Sequence, residues 1–372
     1  MRLMYLRSGP YEPSEKNYNL QEIGMLSEFC ELGYDCDLYY FGKTEKTKIM
    51  IFDNGTKLNI KWIKGIRLLR SGLYPQLLRK NHLKQYDVVF CSEYSQVMTF
   101  LLSRKHDNFY CYNGPYYNLF KLKFMEKIYD KLFLKALNKN VKRFFCKSIL
   151  SENFLNSKGL FNTTVVGVGQ NMKKFKSNPE ILSSTSSVIN FIDKNTFLYI
   201  GSIDDRKNFP FLIKIMEKTI KKYPEIKLQI IGSGNKKYIN ENLKDLSAST
   251  LRNINIIESL QNEQLQYIYP KVRCLLLPSK LEIFGMVLLE AMSFGIPVIS
   301  SDNGGSRTLI NNYFNGIIAD INSEDEWLHA IDFLRSDSNM EKLSMNAQNT
   351  IKDKFTWEKI VDQMNKEING GI

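Results

Sequence analysis

Nowhere in these 372 residues is there an apolar run of the roughly 18 residues that a membrane-spanning helix requires, so the chain is not expected to cross a bilayer. The opening MRLMYLRSGP lacks the long apolar segment of a secretory signal and reads instead as a first strand. Cysteine pairs are missing too. Cys30, Cys36, Cys91, Cys111, Cys146 and Cys274 are scattered, mostly inside apolar runs and without C-x-x-C spacing, which points to reduced core thiols of a cytosolic protein and away from a disulfide framework. The carboxyl half lacks net charge: residues 176–372 hold 23 Lys+Arg against 24 Asp+Glu. The whole excess of +12 therefore sits in residues 1–175, where 28 basic residues face 15 acidic ones.

What is present is ordinary in composition, with 43% hydrophobic and 24% charged residues, as in a soluble globular protein. The length is comfortable for two domains. The one-sided charge would attract an anionic partner: acidic lipid, a lipid pyrophosphate, a polyanionic polymer or nucleic acid. A lysine-rich composition without functional meaning gives the same count. No nucleic-acid-binding module is recognisable, so nucleic acid is not an expected partner.

In chain order, residues 2–6 read as a strand, 8–19 as a polar loop, and a helix through Gly24 ends near Gly33 before a strand over 36–41. Strand, loop, helix, strand opens a doubly wound sheet, whose ligand crevice lies at the carboxyl ends of its strands. Gly24 would let a ligand approach there. Asp35-Cys36-Asp37 is a D-x-D string, but it stands at a strand entrance, where no metal role is expected. The less regular basic stretch 43–85 holds an edge strand near 58–63, and 87–91 and 109–112 are buried strands, the second running into Asn113-Gly114-Pro115. Residues 121–147 carry nine basic and two acidic side chains interleaved with Phe124, Ile128, Leu132, Phe133 and Leu137. As a helix this stretch is basic and amphipathic, suiting either an interfacial membrane element or a surface helix with a solvated lysine face. Residues 144–146 and 164–166 look like the last strands of the first domain.

The serine-rich stretch 176–195 reads as a linker. A second strand and helix series follows. A buried strand over 197–201 ends at Gly201 and runs into Ser202-Ile203-Asp204-Asp205-Arg206-Lys207-Asn208, with a helix behind it to Tyr223. Adjacent Arg206 and Lys207 at a strand's carboxyl end suit two phosphates, the guanidinium as a fork and the ammonium as a point charge. The strand 227–231 leads to Gly232-Ser233-Gly234; a lone G-x-G is a weak signal that gains weight only from its place in the same crevice. A further strand ends at Ser259-Leu260, and 261–269 reads as a helix.

The most informative stretch is PSKLEIFGMVLLEAMSFGIPVISSDNGGSRTLINNYFNG, residues 278–316. Glu282 and Glu290 stand eight apart, the first before Phe284-Gly285 and the second within an apolar helix starting at Met286. On a 3.6-residue period both acids can border one cleft. Gly285 permits close approach to the backbone, and the first-turn amides of the helix favour an anion such as a diphosphate. Two glutamates on the solvated face of an ordinary βαβ unit are the plainer alternative. After a strand over 296–300, Asn303-Gly304-Gly305 opens another helix, and 324–335, 339–353 and the segment from Phe355 read as helices.

This stretch resembles the E-x7-E signature of glycosyltransferase family 4, P-S-x-x-E-x-F-G-x-x-x-x-E-A-M-x-x-G-x-P-V-I, at every fixed position. Gly201 to Asn208 resembles the same family's G-x-L-x-x-R-K-N diphosphate turn; many relatives carry arginine directly after the glycine, where this chain has Ser202, and Arg206 is read as its substitute. The likeness is strong over 197–316 and mostly topological before 175. It implies an α/β GT-B fold of two doubly wound Rossmann-like domains facing across a cleft. An acceptor domain would span 1–175, a linker 176–195, a donor domain 196–354, and a C-terminal helix at 355–372 would cross back to the first domain.

The resemblance further implies a retaining, metal-independent transfer of a sugar from a nucleotide diphosphate, most often UDP, to a hydroxyl of a lipid-linked or cell-envelope glycan. Glu282 would contact the donor sugar and Glu290 the ribose hydroxyls. Ser259 and Leu260 would meet the base, while Arg206, Lys207, Gly232 and the helix start at Phe284, Gly285 and Met286 surround the diphosphate. No cofactor is expected, since the nucleotide-sugar is a substrate, and no residue is an obvious nucleophile. Where the family usually has a sugar-facing histidine this chain has Asn113, which can hydrogen-bond a hydroxyl but cannot serve as acid or base. That departure keeps open a second reading, a non-catalytic GT-B partner that binds acceptor for an active subunit. The expected location is the cytoplasm, peripheral on the inner face of the plasma membrane.

Overall fold

The computed structural model describes residues 1–13, 20–68, 70–120, 122–170 and 179–370. Part of the polar loop after the first strand, Lys121 and the start of the serine-rich stretch lie outside them. The chain divides into two units, Met1–Gly169 with Trp357–Ile372, and Gln170–Thr356.

In the first unit the strands are β1 (Arg2–Leu6), β2 (Asp35–Phe41), β3 (Lys46–Ile51), β4 (Lys57–Ile63), β5 (Ile66–Leu68), β6 (Ser71–Leu73), β7 (Val88–Ser92), β8 (Phe109–Asn113), β9 (Arg143–Cys146) and β10 (Thr163–Val165). Its helices are α1 (Gln21–Glu31), α2 (Lys80–Leu83), α3 (Val97–Ser103), α4 (Lys123–Asn140) and α5 (Ile149–Ser157). Among the described residues an eight-stranded sheet runs β10-β9-β8-β7-β1-β2-β4-β3, parallel except for β3 against β4, and β5 and β6 pair in a hairpin of their own. Its central strands are apolar along their length because helices cover both faces, the condition for a parallel sheet. Phe90, Tyr110 and Phe145 stack across three of them, with centroids 5.3 to 5.9 Å apart.

The edge strand is β3, and β4, expected at the edge, lies one position in. The expected helix over 121–147 ends at Asn140, after which the chain turns into β9. The D-x-D string is structural. Asp37 is buried in ion pairs with Arg2 and Lys61, both 2.9 Å, and accepts the Tyr86 hydroxyl. Burial alone would raise its pKa, but the Tyr86 and Lys61 hydrogen bonds and the two cations hold it below the usual range.

The second unit begins with α6 (Ser183–Phe191), so the serine-rich run is helical there; Val188 is buried, and the Thr185 hydroxyl donates to Gln264 Oε1 at 2.7 Å. It continues through β11 (Thr196–Ile200), α7 (Phe209–Lys222), β12 (Lys227–Ile231), α8 (Lys236–Leu243), α9 (Ala248–Arg252), β13 (Ile254–Ile257), β14 (Cys274–Leu277), α10 (Met286–Ser293), β15 (Val298–Ser300), α11 (Gly304–Leu309), β16 (Ile317–Ile318), α12 (Glu324–Leu334) and α13 (Asp337–Lys354). The six strands are all parallel in the order β13-β12-β11-β14-β15-β16. Residues 262–267 and 269–271 form short 3-10 turns where one helix was expected. The strand order reverses between β11 and β14, which creates a topological switch point whose crevice opens at their carboxyl ends.

The last helix, α14 (Trp357–Asn369), returns to the first unit and packs on α1. A Cβ at Gly24 would lie 2.1 Å from Trp357 Nε1, and one at Gly169 would lie 2.5 Å from Trp357 Cδ2. The absence of a side chain at Gly24 thus admits an indole, not a ligand. Tyr34 donates to Asn365 Oδ1 at 2.6 Å and Arg143 pairs with Glu367 at 2.6 Å along the same contact.

Candidate active site at the carboxyl ends of β11 and β14

The turn after β11 is built by Asp204. Its Oδ1 accepts the Lys207 amide at 2.8 Å and its Oδ2 the Ser202 hydroxyl at 2.6 Å. Burial alone would raise the Asp204 pKa, but these hydrogen bonds and the Arg206 and Lys207 charges lower it, so the carboxylate is held ionised. Asn208 follows at φ 57°, a left-handed conformation that asparagine tolerates, and α7 starts there with a proline in its first turn. Lys207 is thereby turned inward, 8% exposed, while Arg206 stays at the surface.

The loop after β14 is fastened to this turn. The Lys280 amide donates to the Arg206 carbonyl at 2.9 Å, Arg206 Nη1 donates to the Leu281 carbonyl at 3.1 Å, and Lys280 pairs with Asp205 at 2.6 Å. Glu282 then meets the cations: the Lys207 ammonium donates to its Oε2, and Arg206 Nη1 lies 3.7 Å away. Two cations and one carboxylate, drawn from segments 75 residues apart, thus share one crevice.

Beyond Glu282, Gly285 has φ 73° and starts α10 without a side-chain cap. Backbones crowd this corner. A Cβ at Gly305 would fall 1.5 Å from the Phe284 carbonyl oxygen, and the Gly304 amide donates to the Glu282 carbonyl at 3.2 Å. The start of α11 is closed by Asn303, whose Oδ1 accepts the Gly305 and Ser306 amides at 3.0 Å each in a capping box. Gly232 is required for a similar reason, since a Cβ there would sit 1.8 Å from the Gly201 carbonyl oxygen. Its glycine is accounted for by a neighbouring strand end without invoking a ligand.

Glu290 does not line the surface of the crevice. It is 1% exposed, accepts the Tyr269 hydroxyl at 3.2 Å on Oε2, and its Oε1 has no hydrogen-bond partner among the described residues. Burial pushes its pKa well above the usual carboxylate range. Tyr269, which also stacks on Phe294 at 5.1 Å, carried no signal in the sequence. Ser259 is exposed and Leu260 half-buried, just beyond the carboxyl end of the edge strand β13, and Phe284 is buried against the loop.

Asn113 belongs to the first unit and is 0% exposed. Its Oδ1 accepts the Tyr94 amide at 3.0 Å, and its Nδ2 donates to the Pro115 carbonyl at 3.1 Å and to Ser151 Oγ at 2.8 Å. Both amide protons are engaged and the carbonyl oxygen holds one donor, so the side chain joins β8 to α5, and a second lone pair on Oδ1 is the capacity left for a further donor.

Residues 186–353 match a family model described as glycosyl transferases group 1. Among curated relatives, the O-antigen chain mannosyltransferase B of Escherichia coli is 30% identical over 45% of this chain and 43% of its own length. A second E. coli protein, named UDP-Gal:alpha-D-GlcNAc-diphosphoundecaprenol alpha-1,3-galactosyltransferase, is 25% identical over 46% of this chain and 45% of its own. The chain spans a little under half the length of the curated relatives it matches. Among solved structures, Anabaena Alr3699/HepE in complex with UDP aligns over 100% of both chains with a TM-score of 0.76 at 14% identity, and its complex with UDP-glucose aligns with 0.72. The alignment establishes the GT-B fold for the described architecture. No helix among the described residues is long and apolar enough to cross a membrane.

Proposed function

We propose, taking as premise that this chain belongs through residues 186–353 to the glycosyl transferases group 1 family, glycosyltransferase family 4, that it transfers a sugar from a nucleotide diphosphate to a hydroxyl acceptor. The observation that carries the reading is the Lys207–Glu282 pair with Arg206 beside it, at the switch point where a doubly wound sheet binds its ligand. As the bond to the anomeric carbon breaks, negative charge grows on the leaving diphosphate; Arg206 and Lys207 supply positive potential for it from fixed positions. Glu282 then faces the sugar, a retained configuration follows from attack on the face the diphosphate leaves, and Ser259 and Leu260 offer backbone to the base. The family motif assigns the ribose hydroxyls to Glu290; its Oε1, without a hydrogen-bond partner among the described residues, is the atom that would accept one, and the 1% exposed carboxyl must become accessible on binding for it to do so.

Uridine is the favoured base, because a structure aligned along the full chain was solved with UDP and with UDP-glucose and one relative is named for UDP-Gal. A lipid-linked or envelope glycan is the favoured acceptor, since two of the relatives bear O-antigen and diphosphoundecaprenol names. Acceptor recognition would fall to the basic amino-terminal unit. Against the non-catalytic alternative stand Arg206, Lys207 and Glu282, gathered in one crevice. Purified chain incubated with UDP-, GDP- and ADP-sugars should release nucleoside diphosphate from one class, and Lys207→Ala and Glu282→Ala should each lose most turnover while remaining folded. Release at the wild-type rate in either variant would refute the assignment.

A further inference from the structure

Helix α4 has two apolar sides. One faces inward: Tyr129 and Leu137 are buried, and Phe133 packs on Phe100 with centroids 4.4 Å apart. The other is open. Phe124, Ile128 and Leu132 are 58%, 51% and 63% exposed and stand four residues apart, so they form one row along the helix. Beside them runs a second row at the same spacing, Lys123, Lys127, Lys131, Lys135 and Lys139, all exposed and none in an ion pair with a described residue. The helix's two acids are turned away. Glu126 and Asp130 both bind Lys158, at 3.1 and 2.5 Å.

A helix face built only to be solvated has no reason to segregate its acids or to expose a phenylalanine and a leucine in line. We infer that this face of α4 docks on an anionic lipid bilayer, the lysines meeting acidic headgroups while Phe124, Ile128 and Leu132 enter the acyl boundary. Charge complementarity selects the occupant. A second copy of the same face would bring ten lysines together in an isologous contact, and a polyanion in water would leave the apolar row uncovered. Lysines at sixteen residues' span cover about 24 Å of surface at 1.5 Å per residue. The docking surface stands without the transfer reading; what rests on that reading is its purpose, to bring a lipid-linked acceptor to the unit whose strand β8 ends ten residues before α4 begins.

The test uses the full chain and vesicles of phosphatidylcholine with or without about one third phosphatidylglycerol. Trp62, Trp327 and Trp357 are buried, so Phe124→Trp adds the one exposed indole among the described residues. Its emission should shift to the blue, and become shielded from aqueous quencher, only with the acidic vesicles. Lys127→Gln/Lys131→Gln/Lys135→Gln should weaken partitioning about fivefold per lysine, on the order of 100-fold in all. Ile128→Ser/Leu132→Ser should weaken it at least about tenfold through lost apolar burial. These positions are exposed, and an unchanged melting temperature verifies the fold. Equal binding to neutral vesicles, an unaffected lysine variant, or bound protein without a spectral shift overturns the proposal; so does a concentration-dependent dimer, or an acidic protein partner, that is lost in Ile128→Ser/Leu132→Ser. UDP binding measured on the same samples separates failure of this surface from failure of the donor site.

Discussion

Replacing Lys207 by methionine and Glu282 by glutamine should move UDP affinity in opposite directions. In the free protein the Lys207 ammonium is held by Glu282, with both side chains largely buried. A diphosphate that takes this ammonium must displace the carboxylate first. A charge-assisted hydrogen bond contributes about 1.5–3 kcal/mol, so Lys207→Met should weaken UDP roughly 10- to 150-fold. The competing pair lies between an exposed and a fully buried one and is taken as about 1 kcal/mol; Glu282→Gln frees the lysine and should tighten UDP up to about fivefold. UDP lacks the sugar that Glu282 is assigned to hold, so turnover with a UDP-sugar should nevertheless collapse in Glu282→Gln. Titration calorimetry with UDP at fixed salt measures all three proteins, with melting temperatures as the folding control. A Lys207→Met affinity within twofold of wild type, or a Glu282→Gln variant that binds UDP as poorly as Lys207→Met, would refute the competition.

Asn113→Ala strands the buried Tyr94 amide, while the Ser151 hydroxyl keeps the Asn113 and Pro115 carbonyls as acceptors, and should destabilise the first unit by about 1–3 kcal/mol while leaving UDP affinity unchanged; calorimetric unfolding and a UDP titration check both halves. Glu290→Gln tests a sign. A carboxyl whose folded pKa is raised favours the fold while protonated, and that contribution fades as pH rises through the folded value. The variant should therefore gain melting temperature over wild type at pH 8 more than at pH 5; a gain confined to pH 5 contradicts the burial argument. Gly305→Ala must displace the Phe284 carbonyl and should cost about 1–3 kcal/mol or more, with UDP weakened as the loop bearing Glu282 shifts, measured by melting and titration together.

Much of this is legible in the residue pattern alone. Apolar strands ending at Gly201 and Pro278 mark carboxyl ends, and the chemistry of Arg206, Lys207 and Glu282 says what stands there; strand order then brings them together, which local periodicity cannot do. Glycine was the poorest guide. Gly24 and Gly232 are each explained by an indole or a backbone carbonyl of the same chain, and sequence cannot distinguish such a neighbour from a ligand. Asn113 shows a related ambiguity, because a polar residue at a strand end is as fit to tie two core elements as to face a substrate. The burial of Glu290 depends on Tyr269, 21 residues away on a 3-10 turn that periodicity read as helix. On α4 the pattern of 3.6 residues correctly gave an amphipathic helix, but which of its apolar residues meet the core is decided by α3, and only the packed structure separates Phe133 from Leu132.

The most direct measurement is a crystal structure of the chain with UDP bound. The account predicts the diphosphate at the carboxyl ends of β11 and β14, within hydrogen-bond reach of Lys207 and Arg206, with the Lys207–Glu282 pair opened. A diphosphate bound elsewhere, with that pair intact, would contradict it.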